Sequence, residues 1–185
     1  MGSNAAAAVI LVEGTSDRRA VEALAVRRGR DLDAEGVSVV AIGGAHAIGG
    51  AVERFGPRGL DARLAGLYDE REEHAFARGL ERAGLGHDLA RAKLEALGFF
   101  ACENDLEFEL VRAVGTEQVL DLVEREGELS RFRTFQKQLA KRELSLDEQV
   151  WRFMWNRKVR YAALLVQELD LERVPRPLDG VLEHV

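Results

Sequence analysis

The chain has 185 residues, 46% apolar and 31% charged, with a net charge of −6. That is enough for one well-buried domain with a small appendage, and the charge excludes a protein that coats nucleic acid by charge alone. No apolar run approaches the ~20 residues of a bilayer span, and a single cysteine, Cys102, excludes an internal disulfide and fits a reducing cytoplasm.

Met1-Gly-Ser-Asn-Ala5 lacks a basic segment followed by a long apolar one, so no signal peptide is read. Residues 1–7 resemble a tag remnant or a disordered start and are set apart from the fold. Ala8-Val-Ile-Leu-Val12 then reads as a strand buried on both faces. Glu13 and Gly14 follow at its carboxyl end, and Thr15-Ser-Asp17 opens a helix, with Ser or Thr as the cap. Val21, Leu24, Ala25 and Arg28 keep helical spacing up to Gly29. Residues 37–42 are a second strand. Gly43-Gly-Ala-His-Ala-Ile-Gly-Gly50 lacks the Lys and Ser/Thr of a P-loop and does not fit GxGxxG, so it reads as a strand-to-helix turn. His46 within it has no partner in view. Residues 64–68 are a third strand, ending at Asp69; a charged helix covers 70–83 and a shorter one about 89–97. Residues 98–102 are a fourth strand, and Glu103-Asn-Asp-Leu-Glu-Phe-Glu109 follows it.

Strands alternating with helices indicate βα units and a parallel sheet. The expected fold is α/β: a Rossmann-like, four-stranded, mainly parallel sheet flanked by helices over residues 8–115. A helical C-terminal region over 116–185 packs on that core, with helices near 106–114, 119–123, 128–140, 147–155 and 158–169 and a short last one after Val174-Pro-Arg-Pro177.

The charge is unevenly spread. From Glu128 to Arg160 nine Lys/Arg face four acids, a net +5, and the rest of the chain carries −11. An acidic front with a basic back suits a site that holds cations and meets a polyanion, although such charges also serve merely to solvate helix faces. Three of the four strands run into carboxylates, and carboxylates gathered at one sheet end repel unless a cation or shared proton offsets them. Mg²⁺ takes oxygen ligands, commonly one or two carboxylates with waters and phosphate oxygens. Glu13, Asp17, Asp69, Asp105 and Glu107 are the candidate ligands, with Glu13, Asp69 and one of Asp105 and Glu107 expected to converge on one ion. Each acid has a plainer reading: Asp17 as a first-turn acid on a helix dipole, Asn104-Asp-Leu-Glu107 as a capping box, Asp69 as a cap. Glu13 has no such alternative. Trp151 and Trp155, four apart, read as core packing or as anchors for a partner or a base.

The Val12-Glu-Gly14 turn after an apolar strand, followed two strands later by an acid at a strand end, resembles the Toprim domain of topoisomerases, primases and OLD-family nucleases. The OLD type is the nearest: a second acid four positions after the glutamate (Asp17), an Asp-Leu-Glu stretch after a later strand (Asp105-Leu-Glu107), and a lysine shortly before an aromatic-Ala pair (Lys158-Val-Arg-Tyr-Ala162). The resemblance covers roughly residues 8–169. It implies a Mg²⁺- or Mn²⁺-dependent nuclease acting on DNA or RNA, with one or two ions. Glu13 would be a ligand or general base, Asp17, Asp69, Asp105 and Glu107 ligands, and Lys158 would stabilise charge on the transferring phosphate. Arg131, Arg133, Lys137, Arg157 and Arg160 would then contact the nucleic-acid backbone. One departure stands out. Toprim domains usually carry Asp-x-Asp after the third strand, whereas this chain reads Asp69-Glu-Arg71, leaving Glu70, Glu72 or Glu73 as substitutes. OLD nucleases also carry an ATPase domain, and no Walker motif occurs here. The chain therefore looks like a freestanding, cytoplasmic Toprim protein, with a separate ATPase as an implied partner, no membrane association, and self-assembly left open. The competing reading is a non-catalytic module that binds nucleic acid or a partner, with Arg71 marking lost chemistry.

Overall fold

The computed structural model describes residues 7–185, so all but the last residue of the tag-like start lies outside the described residues. Strand β1 (Ala8–Val12) is buried at all five positions, as its unbroken apolar run requires. Helix α1 (Thr15–Arg27) follows, then β2 (Val37–Ala41), α2 (Ile48–Phe55), β3 (Arg63–Asp69), α3 (Glu73–Arg82), α4 (Arg91–Ala96) and β4 (Phe99–Cys102). The sheet order is β2-β1-β3-β4 and every pairing is parallel. Helices α5 (Leu106–Val114), α6 (Thr116–Arg125), α7 (Leu129–Gln136), α8 (Leu146–Trp155), α9 (Lys158–Glu168) and α10 (Arg176–His184) complete the chain.

Some boundaries differ from the expectation. The helix expected over 70–83 opens as a 3₁₀ turn, Glu70–Glu72, and β3 runs on to include Asp69. The helix expected over 128–140 stops at Gln136, because Gln138 is extended and a 3₁₀ turn, Leu139–Lys141, follows. Arg142 Nε donates to the carbonyl of Lys137 at 2.9 Å and closes the end. Neither Thr15 nor Ser16 caps α1: Gly14 is the N-cap, and Asp17 Oδ2 accepts from its N–H at 2.8 Å.

One hydrophobic cluster joins alternate residues of β1 and β2 to α1, α5–α10 and the buried rings of Phe132, Phe153 and Tyr161; a second, on the other sheet face, joins Val9 and Leu11 to α2, α3 and Phe99. Helix α9 lies along α1, and arginines of α1 fasten it. Arg19 donates to the carbonyl of Val159 at 2.6 Å, and Arg27 to those of Val166 and Leu169 at 2.7 and 2.6 Å. The Arg27 bonds reach the last carbonyls of α9, of which that of Val166 also accepts from the Leu169 N–H at 3.3 Å. They set the rotation and height of α9, and with them the place of its first residue, Lys158.

Candidate active site

The chain leaves β1 for β2 on one side and comes back to β3 on the other. The switch in strand order therefore falls between β1 and β3, and in open α/β sheets ligands bind beyond the carboxyl ends of the strands at this point. Glu13 and Asp69 stand there. Glu13 Oε1 accepts from the Asp69 N–H at 3.1 Å, reaching across the crevice. The turn after β2 closes over the same end: Gly43 and Gly44 donate to the carbonyl of Glu13 at 3.0 and 3.1 Å. Both glycines have positive φ, 82° and 111°, which a side chain would strain. His46, in the 3₁₀ turn Ala45–Ala47, is exposed.

The other acids come from α1 and α5. Asp17, in the first turn of α1, accepts from the N–H of the cap residue Gly14. Asp105, not Asn104, is the N-cap of α5; its Oδ1 accepts from Phe108 N at 2.7 Å and Trp151 Nε1 at 3.2 Å. Asn104 cannot take that role, since its φ is +58° and its side-chain oxygen accepts from Arg71. Glu107, which the capping-box reading turned back to the helix start, is instead buried, 2% exposed.

The charges of these groups act on one another. Burial, then the charges of Glu13, Asp105, Asp17 and Glu107, push Asp69 up to about 8. Burial also pushes Glu107 up to about 7, with Lys158 opposing and Asp17 and Asp105 adding. Glu13 and Asp17 are raised as well, burial first, and the Lys158 ammonium opposes both shifts. The charges of the five predicted acids and of Lys158 thus act on one another, but Glu13, Asp69 and one of Asp105 and Glu107 do not close into a single ligand group.

Among the described residues, no three His, Cys, Asp or Glu side chains form a group that would hold a metal ion. The donor chemistry nevertheless fits a hard cation. All five donors are carboxylates, they are under-compensated by one lysine, and Mg²⁺ needs only one or two of them beside water and phosphate oxygens. A bound ion would relieve the repulsion that raises Asp69.

This gives a pH dependence with a definite sign. Asp69 ionises near 3.8 when unfolded and near 8 when folded. Between those values the folded chain holds a proton that the unfolded chain has lost, so stability falls as pH rises through the window. In chelator, the melting temperature should fall from about pH 4 to about pH 8, by about 2–4 °C per kcal/mol lost for a chain of this size. Asp69→Asn should flatten the curve, and Mg²⁺ should raise the melting temperature at the alkaline end more than at the acidic end. The same slope in Asp69→Asn would show that Asp69 does not carry the effect.

The predicted basic residues differ in how far they are engaged. Arg131 and Arg157 contact the buried carboxylate of Glu128 at 2.7 and 3.2 Å, Arg160 lies 3.7 Å from it, and Tyr161 donates its hydroxyl at 2.9 Å. Burial opposes ionisation of Glu128, but the bonds from Arg131 and Tyr161 outweigh it and hold the group below the usual carboxylate range. Arg160 also pairs with Glu126 at 2.9 Å. Three of the five predicted contact residues are therefore partly neutralised by an acid whose role is invisible in the sequence. Arg133 reaches only Gln136, at 3.3 Å, and Lys137 is exposed. Arg131, Lys141 and Arg157 surround a cavity of about 620 Å³ that holds Phe135 and Phe153 and is lined by no acid.

Residues 6–69, which hold β1 to β3 with Glu13, Asp17 and Asp69, match the family model described as "Overcoming lysogenization defect protein-like, TOPRIM domain". Over these residues the chain matches an OLD-like Toprim domain. The solved C-terminal region of the Burkholderia pseudomallei OLD protein shares the fold with a TM-score of 0.74 and 22% identity, over 97% of this chain and 96% of that one. The corresponding region of the Xanthomonas campestris pv. campestris OLD protein gives 0.73 and 26% over 97% and 94%. Among functionally curated proteins, none matches the chain. The likeness therefore extends beyond the Toprim domain into the C-terminal helices that deliver Lys158. No helix among the described residues is long and apolar enough to cross a membrane.

The departure at Arg71 now has a structural setting. Of the acids beside it, Glu70 and Glu73 are taken by Arg91 at 2.9 and 2.7 Å. Glu72 is the one whose charge acts on Glu13. Arg71 donates to Asn104 Oδ1 at 3.0 Å.

Proposed function

We propose that this OLD-like Toprim chain is a nuclease that hydrolyses phosphodiester bonds of DNA with Mg²⁺ or Mn²⁺ bound at its acids. The reading is supported by the hydrogen bond that joins Glu13 to Asp69 at the sheet switch point and by the charges of Asp17, Asp105, Glu107 and Lys158 acting on the same groups. Glu13, Asp17, Asp69, Asp105 and Glu107 would supply the ligands of one or two ions. Such ions supply Lewis acidity to the phosphoryl oxygen and lower the pKa of water.

The chain's own groups divide the rest of the work. Glu13 acts as general base: among the described residues its hydrogen bonding occupies Oε1 only, which leaves Oε2 for a proton. Lys158 offsets negative charge developing on the phosphate. Arg131, Arg133, Lys137, Arg157 and Arg160 track the backbone and orient the strand. RNA is the lesser alternative substrate. An ATPase on a separate chain is the partner that OLD nucleases suggest, and the lone buried Cys102 suits a reducing, cytoplasmic setting.

The test is supercoiled plasmid incubated with pure protein. Nicking should require added Mg²⁺ or Mn²⁺ and cease in chelator, since the metal supplies the activated water. Plasmid that stays supercoiled with either ion, while still binding the protein, would favour the non-catalytic module.

A further inference from the structure

Beside the acids, helices α5 and α8 and the start of α6 enclose a cavity of about 720 Å³, within the roughly 300–1,000 Å³ usual for small-ligand sites. Its floor is aromatic: Phe108 and Trp151 meet edge to face with ring centroids 5.4 Å apart. Its rim carries the guanidinium groups of Arg71, Arg112 and Arg152. The cavity and the acid centre share a wall, because Trp151 Nε1 donates to Asp105 Oδ1 and Arg71 to the adjacent Asn104.

The cations are not equally engaged. Arg112 is paired with Glu103 and Glu109. Arg71 and Arg152 make no ion pair among the described residues, and Arg152 Nε is buried with no hydrogen-bond partner among them. The charges of Arg71 and Arg152 at the cavity are thus not neutralised by an acid among the described residues. The acids of the same wall are already committed: Asp147 accepts from Thr116 Oγ1, and Glu148 closes the Ser145 cap of α8.

We infer that this cavity receives an unpaired nucleobase, stacked on Trp151 or Phe108, with its phosphate against Arg71 and Arg152. The inference rests on the phosphodiesterase reading and narrows its substrate class. Aromatic faces take bases of any sequence by stacking, and guanidinium groups take phosphate. A base inside a duplex reaches neither until it leaves the stack. The substrate is then a nucleic acid with an unpaired nucleotide beside the bond to be cut, such as a single strand, a gap or a flap. Arg71, where related domains carry an acid, gains a task in place of the one it lost.

The chain has two tryptophans, so Trp155→Phe leaves Trp151 as the sole emitter. Trp155 is 53% exposed and outside the cavity lining. In chelator, a short oligothymidylate should quench this emission saturably and bind about tenfold tighter than a blunt duplex of equal length, given ~1–3 kcal/mol per stacked base. Arg152→Gln should weaken single-strand binding about tenfold and leave duplex binding unchanged, with Arg152→Lys in between and circular dichroism unchanged in both, since a guanidinium–phosphate contact is charge-assisted. Unchanged emission, equal affinity for the two DNAs, or equal loss of both in Arg152→Gln would overturn the inference and leave the cavity to a protein partner. The assay contains no metal and needs no cleavage. Quenching without metal-dependent nicking therefore keeps the cavity and removes the nuclease, and nicking without quenching does the reverse.

Discussion

Glu13→Gln should abolish plasmid nicking while leaving the fold intact. A loss of about 10²–10⁴-fold is expected from removal of a general base, and more if the same carboxylate also holds an ion. The substitution isolates charge from architecture. Gln keeps the volume and an oxygen that can accept from the Asp69 N–H, the bond that now joins the ends of β1 and β3. It also removes the negative charge that acts most strongly on Asp69. The metal-free variant should therefore melt no lower than the parent, and at alkaline pH higher, because a repulsion has gone. Activity and stability should move in opposite directions. Cleavage that survives the substitution at the parent rate would assign the nicking to a contaminant, and a variant that melts well below the parent would show that Glu13 is needed for the fold itself.

How much of this was legible in the sequence follows from the range of each interaction. The run from Ala8 to Val12 identifies a central strand because burial on both faces leaves no room for alternation. Glu13 and Asp69 are legible for the same reason, since each ends a strand whose identity is a local matter. The residues that escaped are tied to partners far along the chain. Asp105 was placed in the right stretch, but its part as N-cap fell to Asn104 in the sequence reading. The left-handed backbone that disqualifies Asn104 is set by the β4–α5 turn and by Arg71, 33 residues earlier. Glu128 reads as one acid in a basic stretch with Arg131 three residues on, and only the return of α9 shows that it also gathers Arg157 and Tyr161. The cavity is of the same kind: Phe108 and Trp151 carry helical spacing within their own helices, and nothing local says that the two rings meet.

Lys158 is the test of whether those distant contacts matter to chemistry. Its motif with Tyr161 and Ala162 is local, but its position is not: Arg19 and Arg27 of α1 hold α9 by its backbone, and α9 carries the ammonium to Glu13, Asp17 and Glu107. Lys158→Ala should lower kcat by about 10²–10³, the loss seen when one charge-stabilising donor is removed. KM for DNA should change little, since the interaction strengthens only as charge develops. A second consequence follows from the acids. The ammonium now opposes the upward shifts of Glu13, Asp17 and Glu107, so its removal lets those groups rise further. The acidic limb of the pH–rate profile should then move to higher pH. Lys158→Arg should restore that limb, because it keeps the charge, and recover only part of kcat, because a planar fork replaces a point charge. Arg131→Ala supplies the contrast. It should raise KM and flatten the salt dependence of binding by about one ion, with kcat unchanged. If Lys158→Ala instead raises KM alone and leaves the pH profile in place, Lys158 is one more phosphate contact and the catalytic assignment fails.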